Sequence, residues 1–421
     1  MPYRPVSSCD GAIERLLVTI PPGSDDHIQA YYAEIESIFQ DREMLIRFKN
    51  YDPPRNEPAF DRVGSQYKRN LESNLLAILE GREIFDFRPP DGFHEDLVGD
   101  LMEALQRGIP INHSEWAQDP FCVLARENCD SVFLQPLFSR RYMDKFISLD
   151  LASRRELSML VRPTDLLLEG GNMLAGDGYM LIGKDTLAQN VLRHLERNRI
   201  ERADQDLVAA IEARFREALG VETIWVGFDR AHPNWQRETD QTFQPAFHLD
   251  LFLTLGGKDS DGRRIILVGD PTLAENMLRE AGIRPERIRI SRAAKDQFAR
   301  LDEFWERYTG QRPAHWPEFK IVKVPLYIDR NIPMPFNNGI VETWKGERIA
   351  YLPEYEVTAE ADRYERLNPI FSVLKPPVEA LLLAHGFDRI RWVGPGNHFR
   401  NLALMRGSLH CITKVLKRSG A

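Results

Sequence analysis

The chain has 421 residues, 43% of them hydrophobic and 28% charged, and a net charge of −8 at pH 7. The length suffices for a large core, and the proportions are those of a globular protein rather than a disordered or fibrous one. The acidic balance argues against a general nucleic-acid binder and mildly favours a cationic ligand.

Strand-like runs recur along the chain. Residues 16–20 and 44–48 are short, apolar and bounded by turn formers. They flank an amphipathic helix near 26–39, where Ile28, Tyr31, Tyr32, Ile35, Ile38 and Phe39 share a face. The stretch 51–113 reads as an insertion, with helices near 66–79 and 97–107 and a mobile loop near 56–61. Strands at 121–125 and 132–134 then precede a helix near 152–160 and a strand at 165–168. A strand at 179–182 precedes helices near 186–197 and 203–219 and a strand at 223–226. Strands at 248–255 and 264–268 precede a helix near 272–281 and a strand at 320–326. Strands at 339–342 and 348–352 precede a helix near 373–384 and a strand at 390–393.

The pattern is one of about five β-β-α-β units. A single unit cannot bury both faces of its sheet, but five around an axis can, with helices outside. A last strand near 408–415 would return to the first unit and close the ring. The expected architecture is therefore one α/β domain spanning 1–421, interrupted at about 51–113.

Four cysteines (Cys9, Cys122, Cys129 and Cys411) are too few for a disulfide scaffold in a chain of this length. None has zinc-site spacing. There is no apolar signal region at the start and no run long enough to span a bilayer. A cytoplasmic protein with no membrane or nucleic-acid partner is expected. The basic tail Lys414, Lys417 and Arg418 reads as a solvated end, Cys9 as a tail thiol, and Cys122 and Cys129 as structural thiols.

Four short motifs carry chemistry. Asp119 lies in Trp116-Ala117-Gln118-Asp119-Pro120, where a carboxylate beside an indole suits an alkyl cation with a planar head. Glu169-Gly170-Gly171-Asn172 follows an apolar run, and its glycines allow positive φ and close backbone approach. His248 and Asp250, two apart in a strand, share a face and suit proton transfer beside a cation. Cys411 shares a strand face with Leu409, so His410 points the other way and adjacency does not make it the base. Near His248 and a bound cation, the Cys411 thiol would have a lowered pKa and serve as a nucleophile. Taken singly, each motif also fits an ordinary role: a turn before a strand, an exposed glutamate, a strand-edge pair, a buried thiol.

Taken in order, the motifs resemble those of the guanidino-group-modifying superfamily, which includes arginine, agmatine and peptidylarginine deiminases and amidinotransferases. Trp-x-Gln-Asp and His-x-Asp-x-Phe-Leu look most like peptidylarginine deiminases. His-Cys-Ile-Thr also looks like agmatine deiminases, and Glu-Gly-Gly is shared with arginine and agmatine deiminases. The resemblance runs from Trp116 to Thr413 and implies a five-fold pseudo-symmetric α/β propeller. It implies that Asp119 and Asp250 grip the guanidinium nitrogens and that Glu169 assists. His248 would act as acid and then base, and Cys411 would carry a covalent thiouronium. Trp116 would pack on the substrate stem, with Gly170, Gly171 and Asn172 at the substrate.

The implied substrate is a small guanidino compound or peptidyl-arginine, and the reaction is hydrolysis to a ureido product and ammonia. An amidinotransferase with an amine acceptor, or a non-catalytic propeller scaffold, is the alternative. No cofactor or metal is expected. Pro120, Phe121 and Cys122 stand where calcium-dependent peptidylarginine deiminases carry metal-binding carboxylates. Arg400, Arg406 and Asn338 are candidate rim residues for specificity, and the oligomeric state stays open.

Overall fold

A computed structural model describes residues 3–20, 33–48, 114–125, 131–136, 144, 147–153, 159–200, 203–228, 243–329, 332–356, 367–394 and 396–419. The expected insertion at 51–113, with its helices and loop, lies outside the described residues, as does Cys129. The described strands are β1 (Arg4–Pro5), β2 (Ala12–Ile20), β3 (Glu43–Phe48), β4 (Cys122–Ala125), β5 (Val132–Pro136) and β6 (Leu160–Thr164). They continue as β7 (Met173–Gly176), β8 (Tyr179–Gly183), β9 (Glu222–Val226), β10 (Leu253–Lys258), β11 (Arg264–Asp270) and β12 (Phe319–Asp329). The last are β13 (Ile332–Pro335), β14 (Ile340–Trp344), β15 (Glu347–Pro353), β16 (Arg389–Val393) and β17 (Thr413–Ser419).

These strands form five sheets. In each, one antiparallel pair is followed by one parallel pair: β17-β2-β3, β4-β5-β6, β7-β8-β9, β10-β11-β12 and β14-β15-β16. A parallel pair needs a crossover, which helices supply. They are the helical stretch 33–38, Ile147–Ser153, Lys184–Asn198 with Gln205–Leu219, Pro271–Glu280 with Arg292–Gln311, and Asn368–Ala384. β1 extends the second sheet beside β4, and β13 extends the fourth beside β12.

The helices form for local reasons. Leu187, Val191 and Leu195, four apart, give Lys184–Asn198 a buried stripe. Asp204 caps the next helix by accepting from the Leu207 amide, and Gly220 ends it at φ 67°. Asp270 and Ser291 cap the two helices of the fourth unit in the same way.

The first strands of the sheets lie close together. β7 packs beside β10, β10 beside β14, β14 beside β2, and β17 beside β4. Apolar residues of β4 and β5 share a core with those of β7 and β8. The turns that enter these strands are thereby brought toward one another.

Several boundaries differ from expectation. β10 begins at Leu253, and residues Leu249–Leu251 form a 3-10 turn rather than strand. Asn172 Oδ1 accepts from the Leu249 amide, and Phe252 N donates to the Leu249 carbonyl, so these backbone groups are turned away from the ladder. β17 begins at Thr413, because the Thr413 amide and hydroxyl close a turn on the His410 and Leu409 carbonyls. The strand expected at 165–168 is irregular, with β6 ending at Thr164, and the helix expected at 152–160 runs instead over Ile147–Ser153. Helices Arg292–Gln311 and Gly396–Leu404 and the hairpin strand β7 were not anticipated.

The C-terminal segment is not a solvated end. Lys414 is buried and donates to the Gln118 carbonyl at 2.9 Å. Arg418 donates to the carbonyls of Gly11, Ser8 and Val341. Lys417 alone of the three is exposed, paired with Glu14 at 2.8 Å. Cys9 is buried rather than a tail thiol, and burial pushes its thiol up to about 12.

Candidate active site

Each sheet contributes a turn just before its first strand: Asp119 before β4, Glu169 before β7, His248 and Asp250 before β10, Asn338 before β14, and Cys411 before β17. These turns interlock. Gln118 N donates to the Cys411 carbonyl at 3.1 Å, and Gly170 N donates to the Asp119 carbonyl at 3.1 Å. The Gly171 amide donates to Asp119 Oδ1 at 3.2 Å.

The glycines serve close approach rather than positive φ, since neither Gly170 nor Gly171 has a left-handed backbone. A Cβ on Gly170 would lie 1.9 Å from the Gln118 carbonyl oxygen. One on Gly171 would lie 2.5 Å from His248 Nδ1 and 2.9 Å from Asp119 Oδ1. The pair is what lets the Glu169 turn nest between the other two.

His248 is buried between carboxylates. Its Nε2 lies 2.7 Å from Glu169 Oε2 and its Nδ1 lies 3.6 Å from Asp119 Oδ1. Burial disfavours the imidazolium, but the charges of Asp119, Glu169 and Asp250 and the Glu169 hydrogen bond favour it. The balance holds the His248 pKa above its ordinary value.

Cys411 lies at 3% exposure, with Sγ 3.3 Å from Asp250 Oδ2 and 3.3 Å from Asn338 Nδ2. Burial, then the charges of Asp250 and Asp119, push the thiol well above its ordinary value, opposed by hydrogen bonding with Ser408 and Asn338. The protein's own groups therefore raise the thiol pKa, where the sequence pointed to a lowered one.

Asp250 is 2% exposed, and the two halves of its carboxylate differ. Oδ2 meets Cys411 Sγ and, at 2.9 Å, His410 Nδ1. Oδ1 is buried with no hydrogen-bond partner among the described residues. A carboxylate oxygen left unpaired in the interior costs free energy unless a donor arrives. The side chain of His410 thus turns to the same carboxylate oxygen as Cys411, where the alternation of a strand pointed it the other way. It can do so because Cys411 sits in a turn.

Other sequence candidates have different surroundings. Trp116 is buried with its ring against Gly407, where a Cβ would lie 2.0 Å from Cζ3. The Asn172 amide ties turns together, accepting from Gln244 and the Leu249 amide and donating to Thr186. Arg400 is fully buried, with hydrogen bonds to the Tyr355 carbonyl and Asn368, so it is no rim residue. Asn338 is also buried, at Cys411 itself.

Sequence reasoning missed three contributors: Asn338 as a thiol contact, His410, and Lys414. The buried Lys414 ammonium has its pKa lowered by burial, with the Cys122, Asp119 and Asp250 charges opposing. Asn338-Gly339 precedes β14 as the other motifs precede their strands, and that position is the signal that could have found it.

No protein-family profile matches the sequence, and no curated protein matches it. Solved structures do. One, provisionally described as a peptidyl-arginine deiminase, is 16% identical, with a TM-score of 0.53 over 98% of this chain and 98% of the other. A second, provisionally described as an agmatine deiminase, is 14% identical, with a TM-score of 0.51 over 98% of this chain and 95% of the other. The chain thus has a mixed α/β fold shared with these two structures. Among the described residues, no helix is long and apolar enough to cross a membrane.

Proposed function

We propose that this protein hydrolyses a guanidino compound to a ureido product and ammonia, with Cys411 as nucleophile. The observation that carries the reading is Asp250 Oδ1, buried without a hydrogen-bond partner among the described residues on the carboxylate that meets the Cys411 thiol, with the Asp119 charge acting on the same thiol. A planar cation with several N–H donors satisfies such oxygens, and a guanidinium is that cation.

In this reading the cation binds to Asp250 and Asp119 and offsets the charges that hold the Cys411 proton. The thiol then loses its proton to solvent, and the thiolate adds to the guanidinium carbon. His248, charged beforehand by its carboxylate neighbours, gives its proton to the leaving nitrogen, and the C–N bond breaks to release ammonia. The remaining thiouronium is attacked by water as neutral His248 takes a proton. The C–S bond then breaks, and the product's extra proton returns to sulfur. Glu169 orients His248. Resonance in the guanidinium opposes attack, so the groups act mainly by fixing the plane and the line of approach.

We also read the five sheets as blades of a pseudo-symmetric propeller whose inner turns form the site, with the whole chain as one catalytic unit in the cytoplasm. The substrate is a free guanidino compound or peptidyl-arginine, and no cofactor takes part. Hydrolysis is preferred to amidino transfer because Glu169 heads a Glu-Gly-Gly-Asn motif, as in the resembling hydrolases. The test is a screen of arginine, agmatine, other small guanidino compounds and arginyl peptides, scoring ammonia and ureido product together. Turnover of at least one, lost in Cys411→Ala, is expected. A screen in which no compound releases both products sinks the reading.

A further inference from the structure

Asp250 and His410 are joined by a closed ring of hydrogen bonds through Asn338. Asn338 Nδ2 donates to the Asp250 carbonyl at 2.8 Å. The His410 amide donates to Asn338 Oδ1 at 2.9 Å and to the Asn338 carbonyl at 3.2 Å. His410 Nδ1 then returns to Asp250 Oδ2 at 2.9 Å. An ionised carboxylate only accepts, so Nδ1 carries the proton in this bond.

The ring decides which carboxylate oxygen is left over. A carboxylate held only by its backbone can turn about its last bond and present either oxygen. Here Oδ2 is taken by His410 and Cys411, and Oδ1 has no partner among the described residues. We infer that His410 is a positioning residue that fixes the Asp250 carboxylate with Oδ1 presented to the substrate cation. This rests on the deiminase reading of the site. His410 acts through Asp250: it makes cation capture depend on a fixed rotamer, with no proton transfer of its own.

The test compares alkylation of Cys411 by chloroacetamidine, an amidinium, with alkylation by neutral iodoacetamide, in wild type, His410→Ala and His410→Asn. An asparagine amide can place a donor near the position of Nδ1. The amidinium reagent should saturate in wild type, and His410→Ala should raise its half-saturating concentration about tenfold, the scale of one lost charge-assisted bond. Iodoacetamide reactivity should change far less, and His410→Asn should restore most of the loss. If His410→Ala does not fold, His410→Phe replaces it as the donor-free variant, and the same comparison with His410→Asn decides. Wild-type saturation in a donor-free variant, or a loss that asparagine does not restore, overturns the role of His410. A wild-type protein that reacts no faster with the amidinium than with iodoacetamide instead overturns the deiminase reading.

Discussion

At the scale of single residues, charge balance dominates. Asp119, Glu169 and Asp250 surround one imidazole and one thiol, and burial strengthens every interaction among them. Asp119→Asn and Asp250→Asn should each lower kcat/KM about 10²–10³-fold, because in the proposed reading each removes a charge-assisted contact to the cation of about 3–4 kcal/mol. Steady-state kinetics on the true substrate checks this, and a variant of near wild-type activity removes that residue from the cation site. The same carboxylates make His248 a stability group. Its folded pKa lies above the ordinary 6.5, so the proton it gains contributes stability that is complete below that value. The contribution is lost as pH rises through the folded pKa. His248→Asn should therefore destabilise the protein most on the acid side of 6.5, the gap to wild type shrinking as pH climbs. Denaturant midpoints across that range test the sign, and a gap that widens with pH contradicts it.

At the scale of elements, the sequence revealed the regular parts and hid the turns. The strands Tyr179–Gly183 and Arg264–Asp270 are apolar runs bounded by turn formers, and the helix Lys184–Asn198 has a clear buried stripe. The turn over Leu249–Leu251 was not legible, since it depends on the Asn172 amide, far away in sequence, reaching the Leu249 backbone. The turn at 408–412 hid the direction of His410 for a similar reason. The Gly170-Gly171 pair was legible as a close approach, but not which atoms approach. Those atoms separate the two positions. Gly170→Ala sets a Cβ against backbone at Gln118, which has little freedom to yield, and should cost about 1–3 kcal/mol in thermal or denaturant stability. Gly171→Ala meets the His248 ring and the Asp119 carboxylate, which can shift, so it should spare stability more and depress turnover more. Equal effects of both substitutions on both measurements would falsify this division.

At the scale of the whole molecule, one antiparallel and one parallel pairing recur in five sheets, a turn precedes the first strand of each, and in the proposed reading each such turn supplies a site residue. This accounts for candidate site residues spread from Asp119 to Cys411 with no local clustering in sequence. The unit count was readable from alternating strand and helix patterns; the β10 and β17 boundaries were not, because tertiary hydrogen bonds set them. Burial also bears on the second half of the reaction. Cys411 and His248 are 3% and 2% exposed, so the proposed thiouronium on Cys411 would form among buried groups. In the proposed reading water is the acceptor, and a neutral imidazole held by Glu169 can take its proton. The reaction should then yield ammonia and ureido product in equal amounts, unchanged when glycine or lysine is added in large excess. Mass spectrometry of the mixture decides the matter. A guanidinated amine as the main product would make the protein an amidinotransferase, with Cys411, His248, Asp119 and Asp250 keeping their places and the acceptor alone reassigned.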